Sequence, residues 1–179
     1  MLESLITSKT RIKLLIKFFI NSNTTAYLRS LSDEFGESTN GIRQELKRFE
    51  LANIIISKKE QNKKLYQANT KHPYFKEIHR LLLKYVGIED IVDKVVNHLG
   101  DLEKGYIINE FAQGNPGSVL DLLLVGNNFD YNYLNKLIRK AEEGVTFKIR
   151  YVAISPDEAS KFIPNKNKAL LIWSAEDKL

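Results

Sequence analysis

The stretch that decides the fold of the N-terminal half is LSDEFGESTNGIRQELKRF, residues 31–49. Two short amphipathic segments flank Gly36, a residue that readily adopts the left-handed backbone conformation of a tight turn. After the turn, Ser38 or Thr39 can cap a helix, because either hydroxyl can accept a hydrogen bond from a free backbone N–H. The apolar residues that follow at helical spacing are Ile42, Leu46 and Phe49. The stretch therefore predicts two helices joined by a turn.

The flanking segments complete a larger pattern. Residues 8–21, SKTRIKLLIKFFIN, predict a helix capped by Ser8, and Thr24 or Thr25 is the predicted cap of the helix before Gly36. Residues 53–69, NIIISKKEQNKKLYQAN, predict two strands with a polar tip at Gln61 and Asn62. A helix, a helix-turn-helix and a hairpin, in this order, form the winged helix-turn-helix module.

Over about residues 8–70 the chain thus resembles the winged helix DNA-binding domains of ArsR-like and MarR-like regulators. The resemblance implies a bacterial transcriptional regulator that binds double-stranded DNA. A homodimer is the expected assembly, because a two-fold protein matches paired half-sites on DNA.

The helix after Gly36 carries side chains that suit a DNA major groove. Arg43 is the predicted guanine contact, Asn40 or Gln44 can read adenine, and phosphate contacts are predicted further along the helix. The full predicted set on this helix is Ser38, Thr39, Asn40, Arg43, Gln44, Lys47 and Arg48. The hairpin adds Lys58, Lys59, Lys63 and Lys64, whose contribution would be independent of base sequence and sensitive to salt. The alternative interpretation is that these lysines are solvent-exposed charges of a turn and bind no ligand.

Residues 71–100 predict a helical connector with broad apolar faces. These faces are interpreted as a dimer seam or as intramolecular core, and the sequence favours neither. Beyond the connector, apolar strand candidates at residues 105–112, 119–126, 147–155 and 168–176 alternate with predicted helices at 131–144 and 156–162. The predicted fold class is α+β, with a winged helix-turn-helix domain at 1–70, the connector at 71–100 and a small α/β domain at 101–179.

The segment NEFAQGNPGSVLDLLLVG, residues 109–126, carries a second resemblance. With its flanks, over residues 105–154, it is similar to the nucleotidyltransferase domain of the polymerase-beta superfamily. That family places Gly-Ser after a first strand, Ala-Arg-Gly in the loop and Ser-Asp-x-Asp at a second strand. Here Ala112 and Gly114 match the loop, with Gln113 at the usual Arg position. The second strand and its trailing Gly are retained as SVLDLLLVG.

The metal and phosphate positions of that family differ in this chain. Nucleotidyl transfer uses paired carboxylates to hold two metal ions, and here Asp121 is paired with Val119 instead of a second Asp. Asn109 and Glu110 replace the Gly-Ser, and the strand that should supply a third acid has Lys148 and Arg150 instead. We expect a catalytically silent domain, in which backbone N–H groups or Arg150 satisfy Asp121. A divergent metal site that uses Asp121 and Glu110 is the alternative.

Composition limits the remaining possibilities. Residues 1–70 hold 12 Lys and Arg against 7 Asp and Glu, whereas residues 101–179 hold 10 against 11, which favours a polyanion-binding N-terminal half. The chain has no Cys and its three His residues are scattered, so no metal or other cofactor is expected. Charges interrupt the first apolar stretch, so we expect a cytosolic protein without a membrane association. A protein-interaction module remains a further alternative, and the identity of any small-molecule effector is left open.

Overall fold

The computed structural model describes residues 2–99, 101–162 and 168–178. The chain forms two compact units, Met1–Leu82 and Leu83–Leu179. Both combine helices with a small sheet, so the predicted α+β class is confirmed. Gly100, the last residue of the predicted connector, lies outside the described residues.

The first unit is built from helices and a three-stranded antiparallel sheet of order β1-β3-β2. Its helices are α1 (Leu2–Leu5), α2 (Lys9–Phe19), α3 (Leu28–Phe35), α4 (Thr39–Leu51) and α5 (Phe75–Tyr85), the last of which continues beyond Leu82. Its strands are β1 (Thr25–Tyr27), β2 (Ile55–Glu60) and β3 (Lys63–Ala68).

The predicted pair of helices joined by a turn at Gly36 is present as α3 and α4. The Ser38 hydroxyl accepts a hydrogen bond of 3.2 Å from the Gly41 N–H, so Ser38 is the N-cap of α4. Gly36 ends α3 with φ +64°, and Ser8 caps α2 by accepting from the Arg11 N–H. The core that these elements enclose is fully buried at Leu14, Phe18, Phe19, Leu31, Ile42 and Leu46. Burial of these side chains is the main favourable contribution to folding of this unit.

Strand β1 was not predicted. Thr25 lies in β1 and pairs with Gln67 of β3, so neither Thr24 nor Thr25 caps α3. The helix begins instead at Leu28, and the Ser30 hydroxyl accepts a hydrogen bond of 3.1 Å from the Tyr27 N–H. The chain therefore adds a third strand to the hairpin before it enters the helix-turn-helix.

The second unit contains a four-stranded sheet of order β6-β5-β4-β7, in which β5 and β6 are parallel and β4 is antiparallel to both of its neighbours. The strands are β4 (Leu102–Ile108), β5 (Val119–Gly126), β6 (Lys148–Ile154) and β7 (Ala169–Ser174). The helices are α6 (Ile88–Lys94), α7 (Asn109–Ala112), α8 (Tyr131–Glu142) and α9 (Pro156–Phe162), with 3-10 turns at Val96–His98 and Ala175–Lys178.

Strand β5 is covered on both faces near its C-terminal end. Leu123 and Val125 pack with Ile154 and with Ala159 of α9, while Leu120, Leu122 and Leu124 project to the opposite face and are also buried. The apolar residues of α6 and of the following turn, among them Ile88, Ile91, Val95 and Val96, are buried in this unit as well. For this part of the predicted connector, intramolecular core is the correct interpretation.

The predicted strand at residues 105–112 is partly wrong. Strand β4 ends at Ile108, and Asn109 turns the chain into the short helix α7 with φ +63°. Asn tolerates this left-handed conformation better than other residues with a Cβ.

Candidate functional site

The exposed face of α4 carries the predicted DNA-contacting side chains. All seven of them are exposed in the structure: Ser38, Thr39, Asn40, Arg43, Gln44, Lys47 and Arg48. The opposite face is buried through Ile42, Leu46 and Phe49. The periodicity of the sequence therefore separates a core face from a polar face, as an amphipathic surface helix requires.

The basic side chains on this polar face differ in their partners. Within the described residues, Arg43 and Lys47 form no ion pair, so both charges are available to a ligand. Arg48 instead donates from Nη1 to Glu45 Oε1 at 3.0 Å, although its side chain remains 60% exposed. Arg48 thus has an internal partner that the sequence did not indicate.

Glu45 is a buried carboxylate that joins α4 to α2. It accepts hydrogen bonds from Ser8 Oγ at 3.1 Å and from Arg11 Nε and Nη2 at 3.0 and 3.3 Å, in addition to Arg48. Burial raises the pKa of Glu45, but the bonds from Arg11 and Ser8 and the charges of both arginines outweigh it and hold the pKa below 4.5. The carboxylate stays ionised and fixes the position of α4 against α2.

Other cations of α2 are also neutralised internally. Lys13 pairs with Glu37 at 2.8 Å, and Lys17 pairs with Glu34 at 2.8 Å. The acids Glu34, Glu37 and Glu45 therefore balance charges on the α2 side of the unit. Much of the positive surplus of residues 1–70 is consequently displayed on α4 and on the β2–β3 hairpin.

The hairpin presents its four predicted lysines to solvent. Strands β2 and β3 are joined at Gln61 and Asn62, as predicted, and the register places Lys59 directly opposite Lys64. Two like charges at opposed positions repel each other mildly, and an anion between them would relieve this repulsion. Lys64 is held by Glu50 at 3.1 Å and Lys58 lies 3.9 Å from Glu60, whereas Lys59 has no ion-pair partner among the described residues.

Asp121 in the second unit forms an internal ion pair. Arg150 Nε donates to Asp121 Oδ1 at 2.7 Å and Arg150 Nη2 donates to Oδ2 at 3.0 Å. Asn109 Nδ2 also donates to Asp121 Oδ2, at 3.0 Å. Burial raises the pKa of Asp121, but these bonds and the charge of Arg150 lower it further than burial raises it. Of the two predicted sources of partners for Asp121, Arg150 is the one found.

The other positions of this site do not supply a second ligand. Glu110 is exposed on α7, and Val119 lies on the same face of β5 as Asp121, where it offers no oxygen. Lys148 pairs with Glu142 at 3.0 Å. Within residues 2–99, 101–162 and 168–178, no three His, Cys, Asp or Glu side chains form a cluster able to hold a metal ion. In the same residues, no helix has the length and apolar character needed to cross a bilayer.

Comparison with known proteins gives only partial likenesses. No protein-family model matches the chain, and no curated protein matches it. Among solved structures, reduced HlyU from Vibrio cholerae is 17% identical, with a TM-score of 0.38 over 47% of this chain and 83% of HlyU. A "putative nucleotidyltransferase" from Sulfolobus solfataricus is 20% identical, with a TM-score of 0.35 over 50% of this chain and 79% of that protein. Neither superposition is close enough to establish a fold family.

Proposed function

We propose that this chain is a sequence-specific double-stranded DNA-binding transcriptional regulator and that its first unit is a winged helix-turn-helix module. The observation that carries the proposal is the polar face of α4. All seven predicted contact residues of this face are exposed, and Arg43 and Lys47 have no ion-pair partners in the described residues. The β2–β3 hairpin follows it in the chain and displays further lysines.

The dimensions of α4 suit a major groove. Its 13 residues give a rod about 20 Å long, and a helix with its side chains is about 10–12 Å across, close to the width of the B-DNA groove. Arg43 lies in the first half of α4, where its guanidinium can meet guanine O6 and N7 together. Asn40 and Gln44 flank it, and either amide can pair with adenine.

Phosphate contacts follow from the remaining cations. Lys47 is further along α4, and Lys59 and Lys63 project from the hairpin, so all three suit contacts to the DNA backbone. Arg48 and Lys64 would contribute less, because Glu45 and Glu50 already neutralise part of their charge. These contacts set affinity and its dependence on salt, whereas Arg43 sets sequence preference.

The second unit has, in this proposal, a structural or sensing role without nucleotidyl transfer. Arg150 occupies both oxygens of Asp121, the carboxylate that a divergent metal site would have to use. A metal ion would need to displace this bidentate pair and would then find Val119 at the position of the second ligand.

A homodimer is part of the proposal, because two recognition helices related by a two-fold axis read two half-sites. Helix α5 leaves Leu81 41% exposed and lies within the segment predicted as a dimer seam. Light scattering during size-exclusion chromatography tests this part directly. A mass near twice the 20.6 kDa of one chain supports it, and a mass of one chain contradicts it.

Sequence selection tests the proposed function. Wild type and Arg43→Ala are each used to enrich duplexes from a random pool, with Lys136→Ala on α8 as the control for loss of an exposed charge. We expect wild type and Lys136→Ala to enrich the same motif and Arg43→Ala to lose preference at a guanine. Enrichment of no motif by wild type, or of an unchanged motif by Arg43→Ala, contradicts the assignment of α4.

A further inference from the structure

A groove opens between the start of α3 and the β2–β3 hairpin. It has a volume of about 650 Å³. One wall is formed by the first turn of α3 with Arg29, and the other by β3 with Lys63 and Lys64. None of the residues on the α3 wall was predicted from the sequence to contact a ligand.

The groove exists because β1 is short. Pairing between β1 and β3 ends at Tyr27 and Leu65, where the chain leaves the sheet to form α3. The edge of β3 at Lys63 and Lys64 therefore has no strand beside it on that side within the described residues. Helix α3 and this open edge face each other across the groove.

The lining of the groove favours an anion. It contains three basic side chains, Arg29, Lys63 and Lys64, and one acidic side chain, Asp33. Lys64 is neutralised by Glu50 at 3.1 Å. Arg29 and Lys63 are exposed and form no ion pair among the described residues, although Lys63 Nζ lies 5.8 Å from the centre of the Tyr27 ring. The groove thus places one available cation on each wall.

The groove adjoins the hairpin of the proposed DNA-binding surface, because Lys63 and Lys64 of β3 line it. Lys63 belongs to the same hairpin that displays Lys59. A duplex that contacts both α4 and the hairpin would bring its sugar-phosphate backbone to the groove.

We propose that this groove binds a single phosphodiester of the duplex backbone, held between Arg29 of α3 and Lys63 of the hairpin. The inference rests on the proposed function and adds Arg29, a positioning contact outside the recognition helix. Two cations that close on one phosphate from opposite walls would fix the distance of the hairpin from α3. They would thereby fix the depth at which α4 enters the groove of the DNA.

The test uses full-length protein and the duplex that wild type enriches from a random pool. A set of duplexes is prepared, each with one phosphate replaced by an uncharged methylphosphonate. Affinities are measured by fluorescence anisotropy for wild type, Arg29→Gln, Lys63→Gln, the double variant and the control Lys136→Gln on the exposed surface of α8. Circular dichroism spectra establish that the variants are folded.

We expect one methylphosphonate position to weaken binding by wild type and by Lys136→Gln, and to weaken binding by Arg29→Gln and by Lys63→Gln less. The double variant should also lose about 0.9 from the slope of log affinity against log salt, the loss of one neutralised phosphate, because in each single variant the other cation still neutralises part of that charge. If wild type binds but the double variant keeps its slope, or if the single variants lose as much affinity as wild type at every methylphosphonate position, the groove does not hold a phosphate and only this inference fails. If wild type binds no duplex, the proposed function fails with it.

Discussion

Replacing Glu45 by Gln should loosen the attachment of α4 to α2. Glu45 is a carboxylate with 10% of its side chain exposed, and it accepts bonds from Ser8, Arg11 and Arg48. Removing one partner of a buried ion pair costs about 3–5 kcal/mol. The side chains of Arg11 and Arg48 are 33% and 60% exposed, so water can solvate both charges when Glu45 is replaced. We therefore expect the free energy that holds α4 against α2 to fall by only about 2 kcal/mol.

Hydrogen exchange followed by mass spectrometry measures this loss locally, which suits a chain of two units. Some amides of α4 exchange only when the helix separates from α2. For these amides, a loss of about 2 kcal/mol corresponds to exchange about 30-fold faster in Glu45→Gln than in wild type. Glu77→Gln on the exposed surface of α5 is the matched control and should change these rates by less than about twofold.

The pH dependence gives a second readout of the same carboxylate. Burial raises the pKa of Glu45, but its arginine and serine partners outweigh burial and lower the pKa below 4.5 in the folded protein. Its contribution is therefore fully present above about pH 4.5 and is lost as the pH falls through the folded pKa. The difference between wild type and Glu45→Gln should shrink in acid. Unchanged α4 exchange at neutral pH, or a difference that does not shrink as the pH is lowered, would refute the reasoning.

Three further substitutions probe the same structure. Ser38→Ala removes the N-cap of α4 and should destabilise the first unit by about 1 kcal/mol in urea unfolding, whereas Ser38→Asp should cost far less; equal losses would contradict the capping role. Gly36→Ala should lower the stability of the first unit by about 1 kcal/mol, because φ at this position is +64°. Nothing lies within 4 Å of an added Cβ, so the loss comes from backbone strain alone, and Gly36→Asn should recover part of the lost stability. Arg150→Ala should raise the pKa of Asp121, as followed by NMR of its carboxyl carbon, and an unchanged pKa would show that Arg150 does not hold that carboxylate ionised.

Helices α3 and α4, the turn between them and the β2–β3 hairpin could be predicted because their signals are local. Ser38 caps a helix through a donor three residues away, and Gly36 ends one through its own backbone angle. Helical spacing then assigns Ile42 and Leu46 to the core without knowledge of what covers them. Such signals need no information from distant parts of the chain.

Contacts between distant residues explain what the sequence did not predict. Strand β1 has three residues and exists because it pairs with β3. The bond from Arg11 to Glu45 joins residues 34 positions apart. The groove beside Arg29 lies at the open edge of β3, and the position of that edge depends on where β1 ends. The apolar neighbours of Asn109 predict a strand that continues through it, whereas its positive φ ends β4 at Ile108.

The salt dependence of wild-type binding to its enriched duplex tests the central claim most directly. Lys47, Lys59 and Lys63 are the exposed cations proposed to contact phosphates, so log affinity should fall against log salt with a slope of about −2.7 or steeper for each subunit. Fluorescence anisotropy between low and physiological salt measures this slope. A slope near that value establishes DNA binding through the displayed cations. No binding at low salt, or an affinity that does not change with salt, would contradict the claim.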